Sequence, residues 1–527
     1  MALKFVIGTS FRSLLSSQFS AVGRGEHKAC AKPTSYEQIN VNYETVLVIC
    51  TRISCLKNRD CKNRFLLIIC AFQVRNVTAL SIKDVLASQP IVEVDTLKNG
   101  FRVAAEDNGR PTATIGVWIE TGSRYENEKN NGVAHFLERL MHKGTNNRSS
   151  SNLENELDAI GAKLKSYTTR DRTGVYVQCS SQDVEKVVDI LADVLRNTKL
   201  DPVAVEEERK LLLRELEEYE DNFQMVVMDN LHSAAFQGTP MARSPLGTTA
   251  SLNEITSKDL KEWQEDNYRP VRMVLSAVGG DCSCSKITRL AEKYFADLSN
   301  QYPRKVPEAR GIRFTGSEYR YRNDYIPHMY SAVAVEGVGY GHKDALALQI
   351  ANQFIGQWDV THATTLTAPS RLIQKISHNC GLHYLQHFSL HYKDTGLFGV
   401  YFVSDGDDVM KSHEIMQAIQ HEWKHLATSV SEEETTLARN QLRTALYSQL
   451  ETNSQKAEYN AMELLYTNSV RSLADIENEI SRIDPNRLKE AVFRHVYDRD
   501  TANVGVGLTE AFMSYTLTRT GMSWWRL

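Results

Sequence analysis

The sequence predicts an α+β or α/β chain made of two homologous halves. Strand-like and helix-like segments are interspersed from about residue 90 onward, the order of segments in one half recurs in the other, and 527 residues exceed what one hydrophobic core usually organises.

KNGFRVAAED predicts a turn and a strand, and TATIGVWIETGS alternates like a half-buried strand ending at Gly122. Residues Ser151 to Ile160 read as a capped helix with Leu153, Leu157 and Ile160 on one face, stopped by Gly161. RTGVYVQCS alternates as a strand. Val184, Val187, Val188, Leu191, Val194 and Leu195 then recur at helical spacing. Asp201 and Pro202 open the next helix with an N-cap and a proline at its first position.

The same order returns. SAVAVEGVG at 331–339 parallels IGVWIETGS at 115–123, an offset of 216. Thr395-Gly396 stands against Thr173-Gly174 at 222, and Glu432, Glu433 and Glu434 stand against Glu206, Glu207 and Glu208 at 226. Three matches in order with so small a drift indicate duplication. The join falls near SNQYPRKVPEARG, residues 299–311, whose prolines and charges suit a linker.

Composition is unspecific: 24% charged residues and a formal net charge of −4 neither demand nucleic acid nor exclude a large protein partner. No haem or iron–sulfur cysteine spacing occurs. The first 25 residues hold no acidic residue, carry Lys4, Arg12 and Arg24, and are rich in Ser, which is the composition of a mitochondrial transit peptide. Between residues 26 and 75 stand five of the nine cysteines (Cys30, Cys50, Cys55, Cys61 and Cys70) and two apolar runs too short to span a bilayer. Their spacing matches no zinc pattern, so this stretch is expected to be an extraneous, disordered insert.

The chemistry-bearing motif is His135-Phe136-Leu137-Glu138-Arg139. Histidines at i and i+4 of a helix can bind one zinc ion, and a Glu at i+3 can activate its water; that order, HxxEH, is the inverzincin pattern. Here it stops one residue short. A third ligand must come from elsewhere, and Glu215 qualifies: it lies 76 positions after Arg139 and shares a helix face with Glu208, seven residues earlier. On this reading His135 and Glu215 are ligands and Glu138 the base.

HFLER, KNNGVAHFLE, VEEERKLLLREL, RMVLSAVGG, FTGSEYRYRND and the closing RTGMSWWRL together resemble the pitrilysin-type mitochondrial processing peptidase family, from about residue 90 to the C-terminus. That family includes peptidase β subunits and core subunits of respiratory complex III. The resemblance implies an α+β fold of two homologous halves, 90–300 and 312–527, each a mixed β-sheet covered by helices. It also implies location on the matrix side of the mitochondrial inner membrane. Its expected partners are a homologous second core or α-type subunit with other complex III subunits or, for a peptidase, presequence peptides.

Arg139 departs from the family pattern. A guanidinium cannot ligate zinc, stays charged at any working pH and opposes a divalent ion in the same pocket. His142, seven residues from His135, is about 10 Å along a helix axis, too far to substitute. Without a third protein ligand no zinc is expected, and Arg139 is expected to pair with Glu138 and Glu215 in place of the ion. The acidic run containing Glu208 is otherwise an ordinary solvated helix face. The second half has QIANQFIG where His135 would recur.

Two further clusters compete. His421-Glu422-Trp423-Lys424-His425 matches HExxH, but its histidines fall away from the apolar face marked by Met416, Ile419, Trp423 and Leu426. His383, His387 and His391 lie in an alternating segment, where residues four apart stand roughly 13 Å from each other, and are expected to be surface histidines on one sheet face. GQWDVTHATTLTAPS replaces the Gly-rich sequence that family members carry after GxWD. The expected function is a non-catalytic core-type subunit, and the alternative is a zinc endopeptidase of the processing type.

Overall fold

The computed structural model describes residues 86 and 88–524, apart from 305, 308–310, 362–366, 369 and 378–380. The expected transit peptide and the 26–75 insert lie outside the described residues, as do parts of the 299–311 linker and of the loop after Gly356. No described helix is long and apolar enough to cross a membrane.

In the first half the strands are β1 (Glu93–Thr96), β2 (Arg102–Asp107), β3 (Thr112–Ile119), β4 (Lys163–Thr168), β5 (Thr173–Ser180) and β6 (Met273–Gly279). They form a sheet in the order β1-β2-β6-β3-β5-β4, with β2 and β6 parallel and every other neighbour antiparallel. The helices are α1 (Val133–Leu140), α2 (Ser150–Ala159), α3 (Val184–Arg196), α4 (Pro202–Glu220), α5 (Phe223–Ala235), α6 (Thr249–Glu254), α7 (Ser257–Asn267) and α8 (Cys284–Phe295). Asp201 caps α4 at Val203 N, with Pro202 in the first turn, as the sequence predicts.

The second half has β7 (Ser317–Arg322), β8 (Met329–Val338), β9 (Gln357–Asp359), β10 (Leu382–His391), β11 (Thr395–Ser404) and β12 (Thr501–Gly507). Their order is β7-β12-β8-β11-β10-β9, with β7 and β12 parallel and the rest antiparallel. Its helices are α9 (Ala345–Ile355), α10 (Arg371–Ile376), α11 (Val409–Thr428), α12 (Glu432–Gln449), α13 (Asn453–Thr467), α14 (Leu473–Ser481), α15 (Pro485–His495) and α16 (Tyr515–Thr520).

The two sheets share one topology. The run β2-β6-β3-β5-β4 corresponds to β7-β12-β8-β11-β10, parallel pair included, so the duplication seen in the sequence is a duplication of a mixed sheet with its helices. The 216 offset aligns the pairing of Ile119 with Met273 and of Val335 with Thr501. The β8–β11 hairpin runs farther, pairing Thr395 with Val338 where Thr173 pairs with Ile119, and so the offset drifts. The acidic triplets differ more: Glu432 opens α12, whereas Glu206 sits in the second turn of α4.

One expectation about burial is corrected. The sequence reads β3 as half-buried, yet every β3 residue after Thr112 is buried. Ile115, Val117 and Ile119 face the core that α1, α3 and α8 build with Phe136, Leu137, Leu191 and Phe295. The opposite face, with Trp118, Ala104, Val274 and Val278, is covered by Ala457, Ala461, Leu464 and Leu465 of α13, a helix from the second half. Reciprocally, α5 from the first half lays Val227, Leu231 and Ala235 on Ala332, Leu397, Val504 and Val506 of the second sheet. Each half therefore roofs the other's sheet, and no alternation pattern within one half foretells it.

Candidate functional site

Helix α1 carries His135, Glu138 and Arg139, and its entry is tightly set. Gly132, at φ +93°, turns the chain beside Gly247 and Leu246, where a Cβ would be crowded as well as strained. The buried Glu126 carboxylate caps the helix, accepting from Gly132 N at 2.8 Å, Ala134 N at 3.0 Å and Asn131 Nδ2 at 2.8 Å. Val133, Phe136, Leu137 and Leu140 pack into the core, which aims His135 and Glu138 the other way, toward α4 and β4.

Two linked clusters result. In the first, His135 Nδ1 stands 3.2 Å from Glu138 Oε2, and His135 Nε2 stands 3.5 Å from Glu215 Oε1, a charge contact without hydrogen-bond geometry. Ser166 Oγ donates to Glu138 Oε1 at 2.8 Å and meets His142 Nε2 at 2.8 Å. Burial lowers the affinity of His135 for a proton, but its two carboxylate neighbours outweigh that and hold its pKa up at about 9. The same contact keeps Glu138 and Glu215 below the ordinary carboxylate range, against burial in the case of Glu138. Desolvation lowers the pKa of His142, opposite to the shift of His135.

In the second cluster Arg139 Nε lies 3.1 Å from Glu208 Oε1 and 4.0 Å from Glu215 Oε2, and Lys143 Nζ lies 3.1 Å from Glu208 Oε2. Two sequence expectations change here. Arg139 takes Glu208 as its main partner rather than Glu138, which His135 and Ser166 already occupy. Glu208 is not part of a solvated face: its side chain is 1% exposed, because α1 crosses α4 directly above it. Lys143 and Ser166 carry no motif, and sequence reasoning misses both, though Lys143 is one turn beyond Arg139.

The fold family's motif implies zinc, and the residues present do not fit it. His135, between Glu138 and Glu215, is the one imidazole of the motif, and no second histidine joins it. The second ligand position is a guanidinium. Two fixed cations, Arg139 and Lys143, already pair with the carboxylates of α4, so a divalent ion entering the cluster meets positive charge. The site is built for ion pairing.

Of the other clusters, His421 and His425 fall away from the core as expected. His421 is exposed, and His425 pairs with Glu434 at 3.4 Å and Arg371 at 3.0 Å. His383, His387 and His391 do share β10, but they are half-buried rather than surface residues. His387 and His391 bond to backbone oxygens of Gly356 and Val338, at 2.8 and 3.0 Å.

Two sheet-and-helix halves, with a helix-borne His-x-x-Glu facing a glutamate-bearing helix, define a two-domain inverzincin-type architecture. Residues 102–249 match the family model of insulinase (peptidase family M16), and residues 254–442 match that of the peptidase M16 inactive domain. The chain belongs to the M16 peptidase family. Over 456 residues, 86% of this chain and 96% of the relative, it is 66% identical to cytochrome b-c1 complex subunit 1, mitochondrial, of Caenorhabditis elegans. It is 39% identical to the Bos taurus protein of the same name, over 84% of this chain and 91% of that one. To the mitochondrial-processing peptidase subunit beta of Homo sapiens it is 38% identical, over 84% and 90%. In fold it matches a chain of complex III2 from Candida albicans with a TM-score of 0.72, covering 82% of this chain and 100% of that one at 24% identity.

Proposed function

We propose that this protein is a core-type subunit of mitochondrial respiratory complex III, a structural and assembly component on the matrix side of the inner membrane rather than a peptidase. The observation that carries the reading is the 66% identity to a cytochrome b-c1 complex subunit 1 across nearly all of that relative. The charge-balanced α1–α4 site supports it, because an assembly role asks nothing of a metal. In this role the protein pairs with a homologous second core subunit and contacts other complex III subunits. It carries no cofactor of its own. Residues 1–25 act as a transit peptide, and the 26–75 stretch is an insert; the relative's fuller coverage, 96% against 86%, fits extra length on this side.

A second reading, a processing-peptidase β subunit cutting basic presequences, draws on the 38% identity to that subunit and on the retention of His135, Glu138 and Glu215. Isolating the tagged protein from mitochondria and assaying the eluate separates the two. The core-subunit reading expects co-purification with complex III and no cleavage of a presequence peptide by this chain with its partner. Zinc-dependent cleavage abolished by Glu138→Gln would make the peptidase reading the correct one.

A further inference from the structure

We propose that the second half holds a divalent transition-metal site made by His328, His383 and Asp405, remote in sequence from the α1 motif. The three residues meet at one end of adjacent strands β8, β11 and β10: His328 immediately precedes β8, Asp405 immediately follows β11, and His383 is the second residue of β10. One ligand-type atom from each lies within 4.8 Å of the others.

Three local features build this junction. The β10–β11 register is broken between Leu382 and Tyr384, so His383 is the bulged residue. A bulge re-aims a side chain that the regular pleat would send elsewhere, and here it brings His383 Nε2 to 2.6 Å from Asp405 Oδ1. Asp405 is seated by its own N–H, which donates to Gly381 O at 3.0 Å, and its side chain fills the space a Cβ at Gly381 would need. His328 is fixed by its carbonyl, which accepts from Leu508 N at 3.3 Å. Its ring packs 4.4 Å from that of His383, centroid to centroid, while its Nδ1 is buried with no hydrogen-bond partner among the described residues. A buried ring nitrogen without a partner, on an imidazole packed beside a His–Asp pair, is costly unless something accepts its lone pair or its proton.

Two imidazoles and one carboxylate are the donor set of three-ligand sites for zinc and its first-row neighbours, with solvent supplying a fourth position. Ligand atoms around a tetrahedral ion stand about 3.3 Å apart, so on metal binding the 2.6 Å His383–Asp405 contact would widen and the His328 contact would close. The half-buried state of all three residues leaves room for the water. The other converging triad, His342, Asp344 and His495, is not equivalent: Arg494 already takes Asp344 Oδ2 at 2.6 Å, setting a fixed cation where the ion would sit. Bound metal would tie three strand ends of the second sheet together.

The test is titration of the full chain with Co2+, followed by the visible absorption of four-coordinate cobalt and then by Zn2+ displacement. One saturable equivalent is expected, weakened roughly 100-fold or more in His383→Gln, which can still donate to Asp405, and in Asp405→Asn. His135→Ala should leave it unchanged. The melting temperature should rise with Zn2+ in the parent and not in His383→Gln. Absence of saturable uptake overturns the proposal, and so does uptake that survives both second-half variants. Uptake abolished by His135→Ala alone also overturns it, by placing the ion at the α1 site.

Discussion

At the scale of the residue, Arg139 and His135 decide what the α1 site is. The two carboxylates beside His135 favour its charged form, which bears on stability as well as chemistry. Its folded pKa of about 9 lies above the ordinary histidine value, so its contribution is fully present below pH 6.5 and is lost as pH rises through about 9. Histidine ring NMR should show His135 doubly protonated at pH 7 and titrating near 9, and a titration near 6 would contradict the assignment. Glu208 provides the second handle. Glu208→Ala leaves Arg139 and Lys143 without their carboxylate; because both cations are over 40% exposed they can rehydrate, and a loss of about 1–2 kcal/mol in denaturant unfolding is expected. The motif itself is legible in the sequence, down to the arginine at its last position. Its partner is not: Glu208 and Glu215 visibly share one face of α4, but which of them Arg139 meets depends on the crossing of α1 and α4, which no local spacing encodes.

At the scale of the element, caps, periodicity and the internal repeat are enough to locate α2, α3, α4 and most central strands from the chain's own residues. What escapes such reading are features set by a second element. The depth of β3 is one, since its Trp118 face is closed by a helix about 340 residues downstream. The bulge at His383 is another: HYLQH reads as plain alternation, and only pairing with β11 shows the slip. Because α13 is the lid on the first sheet, Leu464→Ala should cost about 2–4 kcal/mol, although Leu464 lies in the opposite half from the strands it covers. A urea midpoint unchanged by that substitution would mean that the helix packs elsewhere in solution.

At the scale of the whole molecule, the exchanged helices make the halves interdependent. Polar ties reinforce the exchange: Tyr167 Oη donates to Glu458 at 2.6 Å, Arg124 meets Asp394 at 2.5 Å, and Lys456 pairs with the buried Glu106. A fragment of residues 90–300 alone would expose the Trp118 face and the apolar side of α5. It should be insoluble or bind hydrophobic dyes when expressed, whereas co-expression with 312–527 should restore a soluble pair; an independently soluble, cooperatively unfolding first half would refute this. Such interlocking suits the proposed core-subunit role, in which Arg139 and Lys143 occupy the carboxylates of the α1–α4 site.

In the proposed reading, Arg139 closes an otherwise preserved zinc site. The most direct test is zinc stoichiometry of the protein with its partner subunit in a His383→Gln background, which removes the proposed second-half site, with and without Arg139→His. No zinc is expected with arginine and one per chain with histidine, lost again on His135→Ala. One zinc per chain with Arg139 in place, released by His135→Ala, would contradict it.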